Sequence, residues 1–243
     1  MRVAILSDIH SNLQALDAVL GSMGAVDAVW HLGDVVGYGP EPDAVVERLR
    51  EVGAVGVRGN HDDAACGGAT IESFNPDARA AVEWTLARIT RETRAYLQAL
   101  PELLVPDRSA FTLVHGSPRD PIWEYLDSPF AAQESLAAID TPHCLVGHSH
   151  VPLAFRQRRR GGMGAAVMGS GDTLRLDDRR AVLNPGSVGQ PRDGNPAASY
   201  MILDTAAGLA TWQRVAYDIG ATQAAMLTAG LPPRLARRLS FGQ

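Results

Sequence analysis

Short aliphatic runs open the chain. Val3 to Ser7, Ala28 to Leu32 and Ala54 to Arg58 each have the length and composition of a strand buried on both faces. The spacing between them is helical. Ser11 and Gln14 form a capping box ahead of Leu13, Leu16 and Leu20, which share one face. Pro40 to Glu51 reads as a second helix, with prolines where a first turn tolerates them. The amino half is therefore expected to be β-α-β-α-β, with a predominantly parallel sheet and right-handed crossovers.

Residues 70–100 turn helical. Asn75-Pro76 supplies a cap and first-turn proline, Val82, Leu86 and Ile89 follow helical spacing, and Pro101 stops the segment. Such an excursion over a sheet edge could shape a substrate entrance. Strand patterns return at Phe111 to Val114 and Cys144 to Gly147, with a helix starting at Ser128-Pro129. From Leu153 to Tyr217, short strands alternate with glycines, which predicts antiparallel hairpins. The tail from Ala221 to Leu239 reads as helical, with Arg234, Arg237 and Arg238 on its exposed side. No internal repeat or linker interrupts this plan, so residues 1–243 are read as a single domain.

Composition narrows the function. With 243 residues, 46% of them hydrophobic and 20% charged, the chain can build a sizeable core. Its net charge of -5 argues against nucleic-acid binding driven by bulk positive charge. All 22 basic residues are arginine. Without lysine, a Walker-type loop, a kinase strand lysine and Schiff-base chemistry are excluded. Cys66 and Cys144 form no metal or disulfide framework, which suggests a reducing, cytoplasmic setting. Asp8 comes too early for a signal peptide's apolar stretch, and no run approaches the ~20 apolar residues of a membrane helix.

Candidate chemistry gathers directly after the strands, in Asp8-Ile9-His10, Gly33-Asp34, Gly59-Asn60-His61-Asp62, His115-Gly116 and Gly147-His148-Ser149-His150. Ligands of open α/β sheets bind at such carboxyl ends. Each Asp-x-His or His-x-His pair projects to one side if the strand period persists. Two carboxylates, one amide oxygen and four imidazoles, with no thiolate, suit divalent Mn, Fe, Ni, Co or Zn better than Ca or Mg. Seven donors exceed one site's needs, whereas two ions sharing a bridging carboxylate use all of them and keep residual positive charge for an anion. Each cluster alone could be an ordinary turn; five together at five strand ends are hard to explain that way. Gly147-His148-Ser149-His150-Val151 also misses the G-x-S-x-G elbow, which removes a serine hydrolase.

In order, Asp8-x-His10, Gly33-Asp34-x-x-Gly37, Gly59-Asn60-His61-Asp62, His115 and Gly147-His148-x-His150 resemble the calcineurin-like metallophosphoesterase superfamily. Asn184 to Arg192 looks like its small bacterial and archaeal phosphodiesterase branch, and the resemblance runs to about residue 204. It implies an α/β fold, a four-layer αββα sandwich of two mixed sheets with helices on both outer faces. It places one ion on Asp8, His10, Asp34 and His150, and the other on Asp34, Asn60, His115 and His148. His61 would be the catalytic non-ligand histidine. The implied reaction is hydrolysis of a phosphodiester by in-line attack of a metal-bound hydroxide, with His61 assisting the leaving group. Gly37-Tyr38-Gly39 departs from the Asp-Arg-Gly of the protein phosphatase branch, so Asp62 or Asp63 is the candidate to orient His61.

Asn12, Arg58, Arg119 and Arg192 flank the motifs and are candidate substrate grips, although each could equally be structural. Arg156 and Arg158 to Arg160 read as a charged hairpin edge, His31 and His143 as structural, and Trp123 and Tyr125 as candidates for a base or aryl pocket. The expected partner is a small phosphate ester, which a nucleotide would satisfy, and a homo-oligomer is compatible with spare apolar edges. Two alternatives remain: a nucleotide or dinucleoside polyphosphate hydrolase, and a non-catalytic protein-binding scaffold with the same fold.

Overall fold

The computed structural model describes residues 1–68, 71–107 and 109–243; Thr70, which opens the expected helical excursion, lies outside them. In chain order the elements begin β1 (Arg2–Leu6), α1 (Leu13–Ser22), β2 (Ala28–His31), α2 (Pro42–Glu51), β3 (Val55–Gly56) and α3 (Asn60–Ala65). Next come α4 (Pro76–Leu86), α5 (Arg91–Ala99), β4 (Leu103–Leu104), β5 (Phe111–Val114), α6 (Pro129–Ala137) and β6 (His143–Leu145). The remainder is β7 (Pro152–Gln157), β8 (Met163–Val167), β9 (Thr173–Arg175), β10 (Ala181–Pro185), β11 (Ala198–Asp204), β12 (Leu209–Val215), α7 (Ile219–Thr228) and α8 (Pro233–Arg238).

The strands form two mixed six-stranded sheets, in the orders β3-β2-β1-β11-β12-β9 and β4-β5-β6-β10-β7-β8. The first three strands are parallel, as their βα connections require, but β1 pairs antiparallel with β11, so parallel pairing does not extend across the sheet. Alternation along β1 sets the layers. Val3 and Ile5 point between the sheets with Leu113, Leu145, Leu183, Met201 and Trp212. Ala4 and Leu6 point outward beneath Leu16, Val19, Val45 and Leu49 of α1 and α2. On the other outer face, Val114, Cys144 and Val182 meet Ala132 and Leu136 of α6. This is the expected four-layer αββα sandwich. Each fully buried Leu or Ile in these layers contributes roughly 1.5–3 kcal/mol.

Several local expectations change. Asn12, not Ser11, caps α1, accepting the Ala15 N–H at 3.2 Å, because Ser11 takes a left-handed φ of 53° in the turn after His10. The 71–100 segment splits into a short 3-10 turn, α4 and α5, with Thr90 capping α5 and Leu86 half exposed. The 153–217 hairpins are real for β7–β8 and β11–β12, but β10 pairs parallel with β6 and β9 crosses to the other sheet. The carboxyl-terminal helix breaks after Ala229, where Gly230 (φ 75°) and two prolines end one helix and start the next. Arg238 is half-buried on α8, not exposed. These helices pack with Tyr38 and α4 through Ala78, Ala81, Met226 and Leu235. At the β7–β8 tip, Arg156 pairs with Asp177 at 2.7 Å and Arg159 approaches the same carboxylate at 3.9 Å, which Arg179 shares. Among the described residues, no helix is long and apolar enough to cross a membrane.

Candidate metal centre

Because β1, β2 and β3 are parallel, as are β5, β6 and β10, the loops after them emerge on one side of each sheet. These loops carry Asp8, Asp34, Asn60, His115, His148 and His150 to one place. All seven candidate donors are at most 4% exposed. Five of them hold left-handed backbone: Asp8, His10, Asp34, His148 and His150, with φ between 51° and 65°. Each such non-glycine residue costs roughly 1–3 kcal/mol, a concentration expected where function dictates the backbone.

Neighbouring loops hold that strain in place. Asp8 N–H donates to Gly33 O at 3.1 Å, and His10 N–H to Asp34 O at 2.9 Å. The 184–190 strap braces the other side. Val188 and Gly189 N–H donate to Ser7 O and Asp8 O, each at 2.9 Å, and Asn184 Nδ2 donates to Gly147 O at 2.7 Å. Gly59 is glycine because a Cβ there would collide with the Asp34 carboxylate.

The donors form two overlapping clusters, Asp8, His10, Asp34 and His150, and Asp34, His115 and His148. Asn60 Oδ1 joins the second, 3.1 Å from His115 Nε2. Asp34 Oδ2 faces both, 3.6 Å from His10 Nε2 and 3.4 Å from His115 Nε2, while Oδ1 accepts the His61 N–H at 2.9 Å. Backbone carbonyls fix the imidazole tautomers. Nδ1 of His10, His115 and His150 lies 3.1, 2.7 and 2.6 Å from the carbonyls of Val36, Leu32 and Gln190. A carbonyl accepts only, so Nδ1 carries the proton and Nε2 presents a lone pair inward.

The inward lone pairs then confront one another. His10 Nε2 and His150 Nε2 are 3.2 Å apart with no proton to share, and Asp8 Oδ1, 3.3 Å from His150 Nε2, has no hydrogen-bond partner. A cation placed between them would resolve this arrangement. Donor separations of this size suit atoms sharing one ion through bonds of about 2.0–2.2 Å. Burial pushes the Asp8 carboxyl up to about 7, and raises Asp34 too, with Asp62 adding like charge. Burial also holds His10, His150 and His148 well below the ordinary imidazole range. Each of these shifts disfavours protonated imidazole or bare carboxylate, and a bound cation would let neutral imidazole and ionised carboxylate coexist there.

His61 is 3% exposed and lines a cavity of about 180 Å³ beside the donors. Its Nδ1 is buried against Gly37 with no partner, so Nε2 is the nitrogen left to meet a ligand. Burial, then the Arg192 charge, lowers its pKa. Neither candidate carboxylate orients it. Asp62 accepts the N–H groups of Val36 and Gly59, both at 3.0 Å, as the N-terminal brace of α3, and Asp63 pairs with Arg58 at 3.2 Å. Instead His61 is packed by rings: Tyr38 at 4.4 Å, Phe74 at 4.8 Å and His10 at 4.9 Å.

Of the four candidate grips, Arg192 lines the cavity. It bonds Gln190 Oε1 at 3.0 Å and Tyr38 OH at 3.4 Å, and among the described residues it pairs with no carboxylate. The other three are committed elsewhere. Asn12 caps α1 and donates to Gly189 O at 2.9 Å, Arg58 pairs with Asp63 and Glu102, and Arg119 pairs with Glu124. Trp123 and Tyr125 do line the cavity, with Tyr38 and Phe74, which sequence reasoning did not single out. Gly-Tyr-Gly directly after the second strand motif was the available signal for Tyr38; Phe74 had none. His31 bonds Tyr96 OH at 3.1 Å and His143 packs on Phe111, both away from the centre.

The two-sheet sandwich thus carries, at its strand ends, buried and overlapping carboxylate–imidazole clusters that could hold metal ions. The chain belongs to the calcineurin-like phosphoesterase superfamily, whose domain matches residues 1–208. A metallophosphoesterase from Sphaerobacter thermophilus of known crystal structure is 45% identical, with a TM-score of 0.90, over 100% of this chain and 99% of that one. An uncharacterized Methanocaldococcus jannaschii protein is 34% identical over 99% of this chain and 98% of its own length. Phosphodiesterase YfcE of Escherichia coli is 31% identical over 84% of this chain and 88% of its own.

Proposed function

We propose that this chain is a phosphodiesterase working with two divalent transition-metal ions, one held by Asp8, His10, Asp34 and His150, the other by Asp34, Asn60, His115 and His148. The observation that carries the reading is the pair of facing, proton-free nitrogens of His10 and His150 beside an unpartnered Asp8 oxygen. When bound, such ions supply the positive charge that polarises a phosphoryl group and acidifies water. YfcE, named a phosphodiesterase, supports the choice of diester.

The chain's own residues supply the rest. Arg192, free of carboxylates among the described residues, offers its guanidinium fork to phosphoryl oxygens. Burial keeps His61 neutral on its own; an anionic phosphate beside it favours proton uptake, which lets Nε2 hold a proton toward the departing ester oxygen. Tyr38, Phe74 and Gly37 hold the ring in place of a carboxylate. In this reading residues 1–243 act as one domain, since α7 and α8 pack on the same body. The free thiols Cys66 and Cys144 support a cytoplasmic setting.

Hydrolysis of bis-p-nitrophenyl phosphate beside p-nitrophenyl phosphate, in Mn²⁺ and after chelation, tests the proposal. Diester cleavage lost on chelation is expected. Preference for the monoester would make the protein a phosphatase, and cleavage of neither across Mn²⁺, Ni²⁺, Co²⁺ and Zn²⁺ would overturn the reading.

A further inference from the structure

The cavity wall leading away from His61 is aromatic. Phe74 meets the His61 ring edge-on at 4.8 Å, and Trp123 meets Phe74 edge-on at 5.3 Å. Tyr125, which also lines the cavity, lies flat on His148 at 3.8 Å. Phe74 and Trp123 are both only half-buried, so each keeps apolar surface toward the cavity. The charged side chains, Asp34 and Arg192, lie with the donors at the phosphoryl end.

We infer that the ester's leaving group carries one planar aromatic ring, seated on the Phe74–Trp123 corner while His61 and Arg192 engage the phosphoryl end. This rests on the phosphodiesterase reading, in which His61 faces the leaving oxygen, and Phe74 is in contact with His61. A cavity of about 180 Å³ is smaller than the roughly 300–1,000 Å³ that enclose a drug-sized ligand, so it fits a phosphoryl group and one ring. Aromatic pairs gain about 2- to 12-fold in affinity beyond apolar area alone, which an alkyl group of equal size forgoes. The ring could belong to an aryl alcohol or to a nucleoside base; stacking is the shared chemistry.

The test separates ring recognition from catalysis. Benzyl phosphate and cyclohexylmethyl phosphate, equal in charge and nearly equal in size, are titrated calorimetrically into Mn²⁺-loaded protein. Wild type should bind benzyl phosphate at least about twofold tighter, although the saturated ring is the more hydrophobic. Trp123→Leu should abolish that preference and Trp123→Tyr should keep it. Equal or reversed wild-type affinities would overturn the inference. Benzyl methyl phosphate and cyclohexylmethyl methyl phosphate are then followed by phosphorus NMR. Cleavage of both without a ring preference in binding removes the inference alone; a ring preference without cleavage of either removes the diesterase reading alone. Tighter binding of thymidine 5′-phosphate than of benzyl phosphate would support the inference and identify a nucleoside as the source of the ring.

Discussion

Replacing Asp8 with asparagine should reverse its effect on stability according to whether metal is present. In the chelated protein the Asp8 carboxyl is fully buried, and burial raises its pKa from 3.8 to about 7. Between those values the unfolded chain has lost the proton while the folded chain retains it. Stability from this group is therefore complete below pH ~4 and lost as pH rises through ~7. At ~1.36 kcal/mol per pKa unit, the buried charge costs on the order of 4 kcal/mol above pH 7. The substituted amide has no charge to bury, and its oxygen can still accept the Ser7 hydroxyl and the His148 N–H now bonded to Oδ2. At ~2–4 °C per kcal/mol for a chain of this size, Asp8→Asn should raise the melting temperature in EDTA at pH 8 by up to roughly 8–16 °C. In Mn²⁺ the sign should reverse once the free ion exceeds about 1,000 times its Kd, because binding then stabilises the wild type by more than ~4.1 kcal/mol and the variant lacks an anionic ligand for it. Thermal unfolding of both proteins, with and without metal at pH 8, reads all four values. Equal destabilisation by Asp8→Asn in both conditions would refute the claim that this carboxylate is an uncompensated charge awaiting a cation.

Three further outcomes follow from the same geometry. Asp34→Asn, which weakens the one donor facing both clusters, should cut turnover by more than the ~10–100-fold typical of a residue behind a metal ligand, and metal analysis should show fewer than two ions bound. His61→Ala should keep both ions but lower kcat by about 10²–10⁴-fold; a lost ion would show that His61 is a ligand. Gly37→Ala would place a Cβ 2.5 Å from His61 Nδ1 at a φ of 92°, so kcat should fall while the metal content stays near wild type.

Much of the protein is legible in the chain itself. Strand runs, helical spacing and polar residues at strand ends depend on neighbours a few positions apart, so β1, β2, α2, α6 and the carboxylates and imidazoles that cluster in the fold could be read directly. The donors are recognisable because their chemical types are scarce and grouped. Capping was less legible: Ser11 and Asn12 are both good caps, and the choice fell to Asn12 because the backbone after His10 turns left-handed as Ser11 N–H bonds the Val35 carbonyl.

Other features required distant segments to meet. Asp62 looked like the partner of His61, yet Val36 and Gly59 N–H groups claim it, and only the packing of the second and third loops brings them there. Arg58, Arg119 and Arg192 are alike in sequence; carboxylates close enough to pair exist for the first two, and Arg192 is left facing the cavity. The antiparallel union of β1 with β11 likewise joins opposite ends of the chain. Sequence alone determined which groups were available and their local conformation, because those follow from short-range sterics and hydrogen bonding. Tertiary structure decided which polar group satisfies which, because buried groups compete for the same partners and proximity settles the competition.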